Sequence, residues 1–128
     1  MPNPSPGFVN RPDYRVDLLP ETRRVTVVFG GMTIADTGAA LRVEETGHGP
    51  VYYLPAKDVR LDLMHPTEHH THCPYKGQAS YWTIELPART GQRSENAVWG
   101  YPAPYDEVSG LARYYAFYPN RVDSITVA

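Results

Sequence analysis

The stretch Arg23–Thr37, RRVTVVFGGMTIADT, is the clearest secondary-structure signal in the chain. Apolar side chains occupy alternate positions before a Gly-Gly pair, and the alternation resumes after it: Val25, Val27, Phe29, Met32 and Ile34. Such alternation is typical of a half-buried strand, and two adjacent glycines readily adopt the positive φ angles of a two-residue turn. The stretch therefore predicts a β-hairpin.

Further short segments suited to strands lie on the C-terminal side of this hairpin. The 13 prolines and 10 glycines divide the chain into short pieces, and its 10 tyrosines and 2 tryptophans favour strands. We predict strands at 40–45, 51–54, 59–63, 79–86, 96–101, 113–118 and 122–127. One short helix is predicted around Tyr105–Ala112, where acidic residues in the first turn suit the helix dipole. The fold class is mainly β.

Length, charge and cysteine content narrow the functional classes. The 128 residues suit one domain, and a net charge of -2 lacks the basic excess of a nucleic-acid binder. No apolar run is long enough to span a bilayer, and no signal peptide is recognisable. A single cysteine cannot form an internal disulfide. We expect a cytoplasmic protein with no nucleic-acid or membrane partner.

Residues 1–20 contain five prolines and are interpreted as an irregular proline-rich arm. Proline removes a backbone donor and disfavours helix interiors and central strands. The domain itself is expected to comprise residues 21–128.

Cys73, the only cysteine, lies in the segment Thr71–Gly77, THCPYKG. Its proline and glycine predict a tight turn. A nearby cation such as Lys76 favours the thiolate form, and a neighbouring histidine would then serve as base for a nucleophilic Cys73. Alternatively, Cys73 is a small apolar side chain beside a solvated turn. This is the commoner outcome, since the segment matches no local nucleophile signature.

The segment His65–Cys73, HPTEHHTHC, concentrates groups that coordinate zinc. A stable zinc site usually draws its ligands from two separated elements, and the remaining histidine, His48, stands alone. We interpret the segment as a solvated polar loop and expect no metal or cofactor. The question of metal binding stays open for four side chains: His65, His69, His70 and His72.

Two further features suggest binding. The segment Trp99–Tyr105, WGYPAPY, is broken by glycine and proline, so its rings are expected on a loop, where they suit a planar or cationic ligand. Packing in the core is an equally expected alternative. Asp58 and Arg60 lie two residues apart on a predicted strand, where an arginine fork could hold a carboxylate or phosphate. A surface ion pair is the commoner alternative.

Several segments, in this order, resemble the bacterial family known as domain of unknown function 427, which is sometimes labelled a nucleotidyltransferase domain. They are YLPAKDVR (Tyr53–Arg60), THCPYKG (Thr71–Gly77), SYW, AVWGYP (Ala97–Pro102) and AFYPNRVD (Ala116–Asp123). The likeness covers nearly all of residues 24–123. It implies a β-tent (Mss4-like) architecture, in which two antiparallel sheets meet at an angle with a pocket between them. Better-known relatives hold a structural zinc with paired CxxC motifs, which one cysteine cannot supply. The absence of a closely spaced carboxylate pair for two magnesium ions argues against nucleotidyl transfer.

The leading hypothesis is a domain that binds a small, partly planar or anionic ligand in an aromatic-lined pocket, with Lys76 or Arg60 anchoring its charge. The expected ligand-binding residues are Tyr53, Asp58, Arg60, Thr71, Tyr75, Tyr81, Trp99 and Tyr101. One alternative is an enzyme with Cys73 as nucleophile and Lys76 as its activator. Another is a protein-interaction domain whose proline-rich arm and exposed tyrosines form a homodimer surface, so a homo-oligomer stays open.

Overall fold

The computed structural model describes residues 2–87 and 91–128 and arranges them in two antiparallel β-sheets. The strands are β1 (Val16–Pro20), β2 (Val25–Phe29), β3 (Met32–Thr37), β4 (Leu41–Glu45), β5 (Val51–Pro55), β6 (Met64–Cys73), β7 (Gly77–Glu85), β8 (Arg93–Gly100), β9 (Tyr114–Phe117) and β10 (Ser124–Val127). Seven strands follow the order β1-β4-β5-β9-β8-β7-β6, and three follow the order β10-β2-β3. The predicted mainly β class is confirmed, whereas the β-tent architecture stays a prediction.

Helical structure is sparse in the described ranges. One short α-helix, α1, spans Pro6–Asn10. Four 3₁₀ helices span Ala56–Asp58, Leu61–Leu63, Asp106–Leu111 and Pro119–Arg121. The helix expected around Tyr105–Ala112 is thus present as 3₁₀ rather than α, with non-helical φ/ψ angles at Val108. None of the described helices has the length and apolar character that a membrane crossing requires.

The predicted hairpin is confirmed as β2 and β3. Gly30 and Gly31 form its turn with φ angles of 59° and 75°, which is the backbone that two-residue turns demand. The Gly31 N–H also donates to the Asp123 carboxylate at 2.9 Å. Val25 and Val27 are fully buried, as their alternation predicts.

The larger sheet contributes to two separate cores. The first joins both sheets and contains mainly aliphatic side chains, including Val27, Leu54, Ile84 and Val98. The second contains residues of the seven-stranded sheet and of the 3₁₀ helix Asp106–Leu111, and it is rich in tyrosine. Successive side chains of a strand point to opposite faces, so neighbouring residues enter different cores.

The strand predicted at residues 59–63 is wrong. Two 3₁₀ helices flank an isolated bridge between Val59 and Ala35, and the side chains do not alternate as a strand requires. Val59 and Leu63 are buried, but Leu61 between them is 42% exposed. The spacing of these three apolar residues is equally compatible with consecutive tight turns.

The segment His65–Cys73 is not a loop, because it belongs to β6, which pairs antiparallel with β7. β6 lies at the edge of the seven-stranded sheet, with a register irregularity between Pro66 and His70. An edge strand needs no apolar pattern where it faces solvent, and charged or polar side chains discourage pairing with other chains.

An irregular arm was expected at residues 1–20, but residues 2–20 contain regular secondary structure. Met1 lies outside the described residues. The regular elements are α1 and β1, and β1 pairs with β4 along its whole length. Pro6 occupies the first turn of α1, and Pro20 ends an edge strand. Proline is tolerated at both positions because no internal hydrogen bond is lost there.

Ile84 is fully buried in the core shared by the two sheets. We expect Ile84→Ala to lower the free energy of unfolding by about 2–5 kcal/mol, since it removes transfer energy and leaves a cavity. Denaturant titration measures this. Val9 is 78% exposed, and Val9→Ala should stay within about 0.5 kcal/mol of wild type. Equal losses in the two variants would contradict this assignment of the core.

Candidate functional site

A group of aromatic side chains predicted as site residues meets in the tyrosine-rich core. Trp99 lies opposite Tyr81 in the β7–β8 pairing, and its Nε1–H donates to the Tyr53 hydroxyl at 3.2 Å. The Tyr81 hydroxyl is 2.9 Å from Thr71 Oγ1. Four of the predicted residues therefore form hydroxyl and indole contacts on one face of the seven-stranded sheet.

Tyr101 and Cys73 belong to the same cluster. The rings of Tyr53 and Tyr101 lie 6.5 Å apart, and both are at least 93% buried because their exposed fractions are 2% and 7%. Burial raises the pKa of both phenols well above the ordinary value of 10. They are therefore neutral hydroxyls at physiological pH, suited to hydrogen bonding rather than to proton abstraction.

Lys76 is buried at 7% exposure and donates to the Glu45 carboxylate. The Tyr14 hydroxyl donates to the same carboxylate. Burial raises the pKa of Glu45, but the hydrogen bonds from Lys76 and Tyr14 outweigh burial and hold the pKa below its ordinary value of 4.5. The ammonium that was expected to activate Cys73 is thus committed to a carboxylate.

The turn after Cys73 is covered by the N-terminal segment. Tyr75 stacks on Tyr14 with ring centroids 4.0 Å apart, and the Gly7 N–H donates to the Pro74 carbonyl at 2.9 Å. Ser5 Oγ donates to the Tyr75 carbonyl at 2.7 Å. Tyr75 therefore holds the N-terminal segment against the turn and does not belong to the tyrosine cluster.

Asp58 and Arg60 lie apart from the cluster. The Asp58 carboxylate accepts from Thr37 Oγ1 at 2.7 Å, next to the core shared by both sheets. Arg60 makes the surface ion pair that we gave as the alternative, but with Asp62, at 2.8 Å. Neither residue belongs to the tyrosine-rich cluster, and their contact with a ligand stays a prediction.

In the described ranges, no three His, Cys, Asp or Glu side chains come together as metal ligands would. The His72 ring instead lies 2.7 Å from the Tyr105 hydroxyl, and His65 lies 3.8 Å from Glu85. His69 packs against the Tyr81 ring at 4.5 Å, and His70 Nδ1 lies 3.4 Å from Ser80 Oγ, so each of the four histidines has a different neighbour.

The cavities of the molecule do not all coincide with the predicted site. A mostly apolar cleft of about 290 Å³ contains residues of both sheets, and among the predicted residues it includes Trp99. A second cavity of about 290 Å³ lies where β8 ends and β9 begins. It is lined by Trp82, Gly100, Tyr101, Pro102, Arg113, Tyr114 and Tyr115.

Gly100 keeps the second cavity open. A Cβ at this position would lie 2.9 Å from the Tyr114 carbonyl oxygen and 3.5 Å from the rings of Trp82 and Tyr115. Those two rings meet edge to face at 5.0 Å. The glycine of the WGYP segment thus allows close approach of aromatic walls.

Arg113 is the cation of this cavity, and the sequence analysis missed it. Most arginines in the described ranges pair with a carboxylate: Arg11, Arg15, Arg23, Arg24, Arg42, Arg60 and Arg93. Among the described residues, Arg113 and Arg121 have no such partner. A signal was available, because six of the paired arginines have their acid two residues away and Arg113 has none at that spacing.

The backbone of Arg113 is also unusual. Its φ angle is 63°, a left-handed conformation that glycine normally supplies after a helical turn. In the described part of the chain, only Asn96 shares this feature among residues other than glycine. Such strain costs on the order of 1–3 kcal/mol and is commonly retained at functional sites.

A family model described as Domain of unknown function (DUF427) matches residues 17–128. No curated protein matches the chain. The match covers most of the sequence, including every residue of the aromatic cavity.

The Glu45–Lys76 pair predicts a pH dependence of stability. The pKa of Glu45 is lower in the folded chain than its ordinary value of 4.5, so its contribution is present above pH 4.5 and is lost as the pH falls through the folded-state pKa. We expect the free energy of unfolding of Glu45→Gln to fall less than that of wild type as the pH is lowered below 4.5. Denaturant titration at a series of pH values measures this. Glu68 is exposed, and Glu68→Gln should keep the wild-type slope. An unchanged slope in Glu45→Gln would contradict the prediction.

Proposed function

The chain belongs to the DUF427 family of domains of unknown function, and we propose that it is a binding domain for a small, planar, anionic ligand held in the Arg113 cavity. Aromatic walls suit a planar group, and the guanidinium suits a carboxylate or phosphate. This proposal keeps the ligand class expected from the sequence and replaces Lys76 and Arg60 with Arg113 as the anchor.

One observation carries the proposal. Arg113 lines a cavity with four aromatic side chains and, among the described residues, has no carboxylate partner. In the described ranges, seven arginines pair with an acid, whereas Arg113 and Arg121 do not. The lack of an acidic partner for Arg113, on a strained backbone, is explained if its guanidinium has a ligand to bind. Arg113 is exposed, so a ligand reaches it directly.

The size and chemistry of the cavity limit the ligand. Its volume of about 290 Å³ is at the lower end of the roughly 300–1,000 Å³ of small-molecule sites. The half-buried rings of Trp82, Tyr114 and Tyr115 would cover a flat apolar group, and Arg113 would pair with the charge. A compact aromatic acid fits this description better than a flexible or cationic compound.

The alternative of an enzyme with Cys73 as nucleophile has weaker support. Lys76 is engaged by Glu45, and the phenols near Cys73 are neutral. Lys76, the cation expected to activate Cys73, pairs with Glu45 instead, so we make no catalytic proposal for Cys73. On the family resemblance and the single cysteine, we also propose a bacterial, cytoplasmic protein of the β-tent architecture.

Arg113→Gln is the direct test of the proposed ligand class. The chain has two tryptophans, and in a Trp99→Phe background Trp82 is the only indole and lies in the cavity. We expect benzoate to change Trp82 fluorescence saturably and to bind better than neutral benzamide or non-planar cyclohexanecarboxylate. Loss of the charged hydrogen bonds should weaken benzoate binding about 10- to 100-fold in Arg113→Gln.

Arg60→Gln is the matched control, since Arg60 is exposed and lies outside the cavity. It should bind benzoate like the parent. Equal affinities for benzoate and benzamide, or equal affinities of the Arg113→Gln and parent proteins, would refute the planar-anion proposal. The same conclusion follows if Trp82 does not respond to benzoate at millimolar concentration.

Arg113→Gly separates binding from folding. Glycine adopts the φ of 63° without steric cost, so relief of strain should offset its greater unfolded-state entropy. We expect an unfolding free energy within about 1 kcal/mol of wild type or above it, together with loss of benzoate binding. A strongly destabilised Arg113→Gly would show that the side chain is needed for the fold instead.

A further inference from the structure

A third cavity, of about 280 Å³, has a mostly polar lining. It is lined by His69, Tyr81, Asn96, Tyr118, Asn120 and Arg121. These residues come from β6, β7, β8 and the 3₁₀ helix Pro119–Arg121 with the residue before it. None of them carries a carboxylate, and several carry N–H donors.

Arg121 is the second arginine that lacks a carboxylate partner within the described residues. Asp123 lies two residues away, at the spacing that other arginines use, but its carboxylate accepts from the Gly31 N–H instead. One Nη1–H of Arg121 donates to the Glu95 carbonyl at 3.3 Å. The guanidinium is thereby held in place by a neutral acceptor, and its charge is not neutralised.

Asn96 adds a second donor in a fixed orientation. Its Oδ1 accepts from Thr67 Oγ1 at 2.7 Å, which directs the other end of the amide, the Nδ2–H₂ group, away from Thr67. Its φ angle is 51°, so its backbone shares the left-handed conformation of Arg113. Asparagine tolerates this conformation better than most residues, but it is still uncommon.

The Tyr118 hydroxyl is a neutral partner in this cavity. Burial, together with the hydrogen bond to Tyr81, raises the pKa of Tyr118 to about 12. Tyr118 also packs on Trp99, with ring centroids 4.3 Å apart. A neutral phenol donates to an anion without repelling it, and the packing on Trp99 limits its movement.

We propose that this cavity is a second binding site, which takes the oxyanion of a small carboxylate or phosphate between Arg121 and the Asn96 amide. It is independent of the Arg113 cavity, since the two share no lining residue. Each of the two cavities contains one of the arginines without a carboxylate partner and one of the left-handed residues other than glycine, as far as the described residues show. In the first cavity Arg113 both lacks a carboxylate partner and has a positive φ angle. In this cavity Arg121 lacks the carboxylate partner and Asn96 has the positive φ angle.

The lining favours an oxyanion over other small ligands. Guanidinium and carboxamide N–H groups donate to several oxygen atoms at once, as carboxylate and phosphate require. Compared with the Arg113 cavity, fewer aromatic rings are present, so a planar apolar group gains less here. A bare oxyanion group is therefore the better match.

The test is a titration of the full-length protein, labelled with nitrogen-15, with methyl phosphate and separately with acetate. Sodium chloride at matched ionic strength is the reference, since surface charge effects are screened by salt. We expect saturable shifts of the Asn96, Asn120 and Arg121 amides with at least one of the two anions. The stronger binder then identifies phosphate or carboxylate as the preferred source of the oxyanion.

Two variants complete the test. Arg121→Gln should weaken binding about 10- to 100-fold, because a charged hydrogen bond is lost. Asn96→Asp keeps an acceptor for Thr67 and a residue that tolerates positive φ, but it adds a negative charge and should abolish the shifts. Arg113→Gln is the matched control and should bind within about 2-fold of wild type, a difference well under one hydrogen bond.

Shifts no larger than those with sodium chloride would overturn the proposal. So would wild-type anion affinity in Arg121→Gln or Asn96→Asp. Loss of binding in Arg113→Gln alone would assign the anion to the aromatic cavity and would likewise overturn the second site. Circular dichroism of each variant shows that it is folded, so a loss of binding is attributed to the removed group.

Discussion

Burial of both faces of the central strands is the constraint on which the rest of the structure depends. Strands β5, β7, β8 and β9 lie inside the seven-stranded sheet, and neighbouring residues such as Tyr53 and Leu54 enter different cores. The aliphatic face packs with the three-stranded sheet, and the tyrosine-rich face packs under the 3₁₀ helix Asp106–Leu111. The hydroxyls of the second face bond to one another and to an indole, so the tyrosines are accommodated there without buried polar atoms left unsatisfied.

This arrangement explains why the predicted site divides into parts. Tyr53, Tyr81, Trp99 and Tyr101 come together, but three of them are too deeply buried to present much surface to a ligand. The more accessible aromatic surface lies where β8 leaves the sheet, beside Arg113. Most described arginines pair with a nearby carboxylate. The two described arginines without such a partner, Arg113 and Arg121, line cavities. Cation and cavity coincide at the places where the backbone is also strained.

Features encoded within a few neighbouring residues were predictable from the sequence, and features that depend on distant residues were not. The Gly30–Gly31 hairpin was predicted correctly because alternation and turn geometry are both encoded within a few residues. Strand β6 was missed because an edge strand with solvated side chains has no apolar pattern to detect. The 59–63 segment was misassigned because three apolar residues at alternate positions fit two tight turns as well as a strand. Arg113 had a detectable signal, the lack of an acid two residues away, but its meaning depends on how the other arginines are paired.

The sequence by itself determined the mainly β class, the β2–β3 hairpin and most strands. These properties follow from side-chain alternation, glycine and proline geometry and composition, which act over short distances along the chain. Only the tertiary structure decided that Lys76 pairs with Glu45 and that Arg113 lies among aromatic rings. Those facts depend on the register and order of strands distant in sequence, because a contact across a sheet is fixed by the pairing of whole strands and not by any one segment.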